Sequence, residues 1–170
     1  MTPLVALALS IGALGGVATA LFLKANWFIW AGFIAWACFF HSGGDTEALK
    51  KTIIGNLWGI VCALIAAFLL FSSLGASLGG AAAPVIVGLT VCIMVLGAHF
   101  KPFSTIPAAV YGYASTFAAI LMSATAVATE TLVIVGIEGN PVIKVAVSMI
   151  VGALFGIASA KLAGALTKKA

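Results

Sequence analysis

Charge is the scarcest property of this sequence. Only 7% of its 170 residues are charged, all eight of its basic residues are lysines, and it has no arginine. Soluble domains carry about 25% charged residues, so a chain that is 64% hydrophobic cannot cover a water-facing surface. The sequence therefore predicts an integral membrane protein. Its lysines lie at helix ends rather than in a patch that neutralises phosphates, so we expect no nucleic-acid partner.

Signatures of catalysis and of metal binding are also missing. The sequence contains no HExxH, GxSxG or Walker motif, and its four acidic residues all fall near breaks between apolar segments. Cys38, Cys62 and Cys92 stand alone, without a CxxC pair or a neighbouring His or Asp at ligand spacing. We therefore expect no enzyme, no cofactor and no metal site.

Long apolar runs are what the sequence has in abundance, and they lack the period-two alternation of barrel strands. A spanning helix needs about 20 apolar residues, and clusters of Gly, Pro, Ser, Asn and Asp separate the runs. We predict an all-α membrane protein, a single domain over residues 1–170 with six transmembrane helices. The predicted helices cover residues 3–23, 27–41, 48–71, 82–99, 107–127 and 142–166.

The third and sixth predicted helices resemble each other. Residues 53–69 (IIGNLWGIVCALIAAFL) and 150–166 (IVGALFGIASAKLAGAL) share eight identities in seventeen positions. Because a unit of three helices has an odd number of spans, a second copy would enter from the opposite side of the membrane. We therefore predict two inverted three-helix repeats, approximately residues 1–75 and 80–170. Many transporters and channels place a solute site between such halves.

The lysines predict the orientation through the positive-inside rule. With the N-terminus inside, the outside loops hold only Lys24 and Lys144, and the other six lysines are cytoplasmic. Both termini are then cytoplasmic, and His41 and His99 fall together on that side. The six cytoplasmic lysines are Lys50, Lys51, Lys101, Lys161, Lys168 and Lys169.

Two Gly-x-x-x-Gly spacings, Gly55/Gly59 and Gly152/Gly156, occupy equivalent positions in the repeat. Each pair leaves a flat strip on which another helix backbone can approach closely. We predict that the third and sixth helices cross at the centre of the bundle through these strips. Asn56 lies within the first pair, and its amide needs either an interhelical hydrogen bond or a pore-lining position.

The stretch KPFSTIPAAVYGYASTFA, residues 101–118, collects two prolines, both tyrosines and several hydroxyl residues. Tyr111 and Ser115 are four apart and share a helix face, and Thr116 flanks it. Such hydroxyls either bond the carbonyls of the preceding turn or face a hydrated cavity, and the sequence leaves both alternatives open. On the second alternative, the predicted pore wall is Tyr111, Ser115, Thr116, Asn56, Trp36 and Phe40, with His41 and His99 at its cytoplasmic mouth.

For two aromatic and two acidic residues the sequence leaves two interpretations open. Trp36 and Phe40 either narrow a pore or pack against lipid and neighbouring helices. Glu130 and Glu138 lie in VATETLVIVGIEGN, a segment that is too short to span twice and too apolar for an ordinary loop. They would serve a proton-linked mechanism if the segment re-enters the membrane, and would be headgroup-level acids if it does not.

Four short motifs carry a family resemblance. They are Trp30-Ala31-Gly32-Phe33, Phe39-Phe40 with Gly43-Gly44, Ala114-Ser115-Thr116-Phe117-Ala118 after Pro107, and Gly152-Ala153-Leu154-Phe155-Gly156. On these motifs the chain resembles the YcdZ family of small bacterial inner-membrane proteins, a family of unknown function. The resemblance implies a multi-pass protein of the bacterial inner membrane and supplies no substrate. In addition, KPFSTIPA is similar to the Pro-rich segment before a pore helix of urea channels.

We predict a passive membrane channel or facilitator for a small neutral or weakly charged polar solute. A path lined by hydroxyl, amide and aromatic groups, without fixed charge, suits neutral solutes better than ions. A chain of this size buries little interior, so we expect a homo-oligomer in the lipid bilayer. The alternatives are a non-transporting scaffold or partner subunit, for which the glycine faces alone matter, and a proton-coupled transporter of small solutes.

Overall fold

The structure, a computed structural model, describes residues 1–123 and 139–167, and within these ranges it consists of helices without strands. The predicted all-helical architecture is confirmed. Glu130, Glu138, Lys168 and Lys169 lie outside the described residues. The helices are α1 (Pro3–Lys24), α2 (Ile29–His41), α3 (Thr46–Leu70), α4 (Ser73–Leu78), α5 (Ala82–Leu96), α6 (Ile106–Met122) and α7 (Pro141–Thr167), with 3-10 turns at Gly79–Ala81, Gly97–His99 and Lys101–Phe103.

Four of the described helical segments are long and apolar enough to cross a membrane by length and composition: Pro3–Lys24, Thr46–Leu70, Ser73–His99 and Pro141–Thr167. The apolar helices α2 and α6 are shorter, with 13 and 17 residues. At about 1.5 Å per residue they rise about 20 Å and about 26 Å, less than the roughly 30 Å of a bilayer's hydrocarbon core. The count of six spans therefore stays a prediction.

The start of α2 shows why that helix is short. The predicted helix begins at residue 27, but Asn26 adopts a positive φ of 53° and α2 begins at Ile29. The amide of Phe28 donates instead to the hydroxyl of Ser148 on α7, at 3.1 Å. A contact distant in sequence therefore replaces the first turn that hydropathy alone predicts.

Glycine determines which helices pack most closely. The main partner of α3 is α6, and the main partner of α7 is α2, while α1 lies on α7 and α5 on α3. A Cβ atom at Gly59 would overlap the carbonyl of Ala109, and one at Gly152 would overlap the carbonyl of Gly32. The glycine strips of α3 and α7 therefore face α6 and α2 rather than each other, and the predicted crossing of the two long helices through these glycines is wrong.

We expect Gly59→Ala to destabilise the protein, because the added methyl also lies 2.7 Å from the amide nitrogen of Tyr113 and neither backbone atom can move freely. Overpacking of this kind costs about 1–3 kcal/mol, which lowers the unfolding midpoint by roughly 3–10 °C. Thermal unfolding in detergent measures it. Gly88→Ala on α5 is the matched control, since a Cβ atom there meets nothing within 4 Å, and an equal loss in both variants would contradict the packing argument.

Candidate functional site

A cavity of about 370 Å³ lies between α2 and α6. Tyr111 and Ala118 mark its length along α6, seven residues or about 10 Å, which is about one third of a hydrocarbon core. Its wall is mostly aliphatic and aromatic, and Trp30, Tyr111 and Ser115 are the lining residues that carry a polar side-chain group. The lining residues are Trp30, Ile34 and Ala37 from α2, and Tyr111, Ala114, Ser115 and Ala118 from α6.

A histidine and a tyrosine meet beside this cavity, and of the two only Tyr111 lines it. His41 is the last residue of α2 and Tyr111 lies in the second turn of α6, so the two helices run antiparallel along the cavity. The Nδ1 atom of His41 lies 3.0 Å from the hydroxyl oxygen of Tyr111, and their ring centroids are 6.0 Å apart. The hydroxyl of Tyr111 is therefore engaged, while its ring forms part of the cavity wall.

Ser115 differs from the other buried hydroxyl residues of the described helices. Ser115 is 2% exposed, and its hydroxyl has no hydrogen-bond partner among the described residues. Five other buried hydroxyls donate to carbonyls of their own helix at 2.6–2.8 Å. Ser115 thus keeps an unused donor and acceptor beside the cavity. The five self-satisfied hydroxyls are Ser10, Thr90, Thr116, Ser148 and Ser159.

Two further members of the predicted pore wall lie outside this cavity, between α3 and α6. Thr116 is fully buried and donates to the carbonyl of Gly112 at 2.8 Å. Asn56 is 1% exposed, its backbone lies against Gly112, and both polar atoms of its amide lack partners within the described part of the chain. Thr116 and Asn56 therefore belong to a tightly packed interface.

Trp36 and Phe40 lie on the side of α2 that faces away from the cavity. The indole N–H of Trp36 donates to Ser159 on α7 at 3.0 Å, and its ring stacks on Phe155. Phe40 lines a separate cavity of about 270 Å³ near the start of α1 and the end of α7. Neither aromatic ring narrows the cavity between α2 and α6.

The three residues that α2 contributes to the cavity are not among the predicted pore-lining residues. Trp30, Ile34 and Ala37 follow the spacing i, i+4 and i+7, which marks one helix face. The adjacent face of small residues, Ala31 and Ala35 among them, is buried in the core. Periodicity could have suggested the Trp30 face, but it does not tell which of two apolar faces borders a cavity.

The remaining candidates carry no visible chemistry. His99 is exposed in the 3-10 turn that follows α5, and its Nδ1 lies 2.9 Å from the carbonyl oxygen of Leu96. Within residues 1–123 and 139–167, no group of three or more His, Cys, Asp and Glu side chains could hold a metal ion.

Comparison with known families gives one match. A family model described as "Protein of unknown function (DUF1097)" matches residues 8–164, which is most of the chain. No curated protein and no solved structure gave a significant match. The family match leaves the resemblance to the YcdZ family as a prediction.

Replacing Asn56 by Leu, which has the same branching, should raise the unfolding midpoint in detergent. Two buried polar atoms without partners cost about 1–3 kcal/mol each, and an isosteric apolar side chain removes that cost. Thr116→Val is the control, because its hydroxyl has a partner and its loss brings no gain. A midpoint lowered by Asn56→Leu would mean that the amide is satisfied in solution.

Proposed function

This chain belongs to the DUF1097 family, and we propose that it is a passive channel or facilitator for a small neutral or weakly charged solute. The observation that carries this proposal is the cavity between α2 and α6, with the unpartnered hydroxyl of Ser115 at its wall. A solute that leaves water needs replacement hydrogen bonds, and a rotation of the buried Ser115 hydroxyl about χ1 would offer one. The described lining residues include no charged side chain, which favours neutral solutes over ions.

We further propose that α1–α3 and α5–α7 are two inverted halves and that all six helices cross the membrane. The packing pairs support this arrangement, because exchanging α1 with α5, α2 with α6 and α3 with α7 converts each main contact into another. The contact of α3 with α6 becomes that of α7 with α2, and the contact of α1 with α7 becomes that of α5 with α3. The close backbone contacts correspond under the same exchange. Gly112 of α6 contacts Asn56 of α3, and its counterpart is the contact of Gly32 of α2 with Gly152 of α7.

The place of the cavity fits this proposal. In the exchange, α2 and α6 are equivalent helices, so a cavity between them lies on the pseudo-two-fold axis. Solute sites of inverted-repeat transporters occupy the same place, near the membrane midplane between the halves.

For the orientation, we propose that both termini are cytoplasmic in a bacterial inner membrane. Pro3 and Leu7 of α1 line the same cavity as Thr167 of α7, so the start of α1 and the end of α7 lie at the same end of the bundle. His41 and Tyr111 meet at this end as well. The lysine-rich start of α3 follows α2 there, which agrees with the positive-inside rule.

We also propose a homo-oligomer. The cavity is bordered by Ala37 and Ala114, which are both exposed small residues. A second copy of the chain against this side would complete a pore wall that one copy leaves open.

The alternative functions find less support. A scaffold that uses the glycine faces needs them free, yet Gly59 and Gly152 are covered by helices of the same chain. Proton-coupled transport depends on Glu130 and Glu138, which lie outside the described residues.

The channel proposal predicts that Ser115→Leu slows the uptake of neutral solutes into proteoliposomes at least tenfold. The isobutyl group projects towards the cavity and removes the free hydroxyl. Light-scattering measurements of swelling, in gradients of solutes from urea and glycerol to butyramide, give the rate. Thr116→Val is the matched control, because its hydroxyl is adjacent in sequence but bonded to Gly112. Uptake no faster than in protein-free vesicles, for every solute, would support the scaffold.

A second pair of variants tests the tyrosines. Tyr111→Phe should lower the uptake rate by roughly two- to tenfold, because it removes the hydrogen bond to His41, worth about 0.5–1.5 kcal/mol, that fixes the ring in the cavity wall. Tyr113→Phe should leave it unchanged, because its hydroxyl lies 2.8 Å from Thr90 on the α5 side. Equal effects of the two variants would remove Tyr111 from the solute path.

A further inference from the structure

We infer that the cavity between α2 and α6 selects a neutral amphiphile: a solute with an apolar, flat or branched body and a single hydrogen-bonding group. This inference rests on the proposed function, because it names the solute class for the same cavity. Urea and polyols are then poor ligands, and small aromatic or branched alcohols and amides are good ones.

The size of the cavity favours a body larger than urea. An apolar protein cavity of about 150 Å³ is enough to hold benzene, and this cavity has about 370 Å³. It lies at the lower end of the roughly 300–1,000 Å³ typical of small-molecule sites. A single substituted ring, or an aliphatic chain of similar volume, therefore fits.

The composition of the wall restricts the polar part of the solute. Apart from Ser115, the lining residues are Trp30 and Tyr111 with their rings, the aliphatic Ile34, and three alanines. A hydroxyl that leaves water for such a wall without a new hydrogen bond costs about 1–3 kcal/mol. Glycerol would strand two or three hydroxyls there, whereas a solute with one polar group strands none once that group meets a partner.

Ser115 is the partner that the wall offers. The hydroxyl of Tyr111 is already paired with His41 at 3.0 Å, whereas the hydroxyl of Ser115 has no partner within the described ranges. The carbonyl of Tyr111, four residues earlier, is the acceptor that a helical serine ordinarily uses. The hydroxyl oxygen is itself buried in this conformation, but Ser115 lines the cavity. Because the hydroxyl does not bond back, a rotation about χ1 presents it to the cavity at no loss of a hydrogen bond, and it then donates to or accepts from one group of a solute.

Small residues border one side of the cavity, and access from that side favours an amphiphilic solute. Ala37 and Ala114 are exposed on the outer surface of α2 and α6. Where the bilayer borders these residues, a solute reaches the cavity past them from the hydrocarbon region of the lipid. Neutral amphiphiles concentrate in that region because their apolar bodies partition out of water.

Two nitroaromatic probes that differ by one hydroxyl test this inference in detergent. We expect 4-nitrobenzyl alcohol and 4-nitrotoluene both to quench the fluorescence of Trp30 saturably, and Trp30→Phe to abolish that component. Ser115→Ala should weaken binding of the alcohol roughly two- to tenfold and leave binding of nitrotoluene unchanged. The unchanged nitrotoluene affinity also shows that the variant keeps its cavity.

Thr116→Val should change neither affinity, and a large excess of glycerol or urea should displace neither probe. The inference is overturned by displacement with glycerol, by the absence of saturable quenching, or by a Ser115→Ala effect that is equal for both probes. The binding assay involves no passage across a membrane. Binding without faster vesicle uptake would therefore overturn the channel proposal alone, and uptake without probe binding would overturn this inference alone.

Discussion

Two close backbone contacts, α3 on α6 and α7 on α2, support the rest of this structure. In a bilayer the lipid is as apolar as the side chains, so helices associate through close packing rather than through the hydrophobic effect. Gly59 and Gly112 allow the first contact, and Gly32 and Gly152 allow the second. Each contact joins a long helix to a short one, so the short helices α2 and α6 are held inside the assembly by long neighbours.

The cavity follows from this arrangement. Because α2 packs mainly on α7 and α6 mainly on α3, the two short helices approach each other less closely than either approaches its main partner. Trp30 and Tyr111 keep the gap between them wide, while Ala37, Ala114 and Ala118 leave it unfilled. Close packing within the pairs α3–α6 and α7–α2 therefore leaves the cavity between α2 and α6.

Position and hydrogen bonding together identify Ser115 as the polar group of that cavity. A dry interior forces hydroxyls to bond the carbonyls of the preceding turn, and Thr116 and Ser159 do so. The neighbouring hydroxyls therefore differ: that of Thr116 is hydrogen-bonded and that of Ser115 is not, although the sequence predicts no difference between them. The unpartnered amide of Asn56 does not border the cavity, which shows that an orphaned polar group alone does not mark a site.

Composition and local pattern determined the helical, membrane-type class, the glycine strips and the shared face of Tyr111 and Ser115. These features depend on residues within a few turns of one another, where the helical period is known. Only the tertiary structure decided that Trp30 rather than Trp36 borders the cavity, because the partner of Trp36, Ser159, is 123 positions away. It also decided the late start of α2, through the bond from Phe28 to Ser148. Pairings between distant segments depend on shape and on competing contacts, and the periodicity of a single helix predicts neither of them.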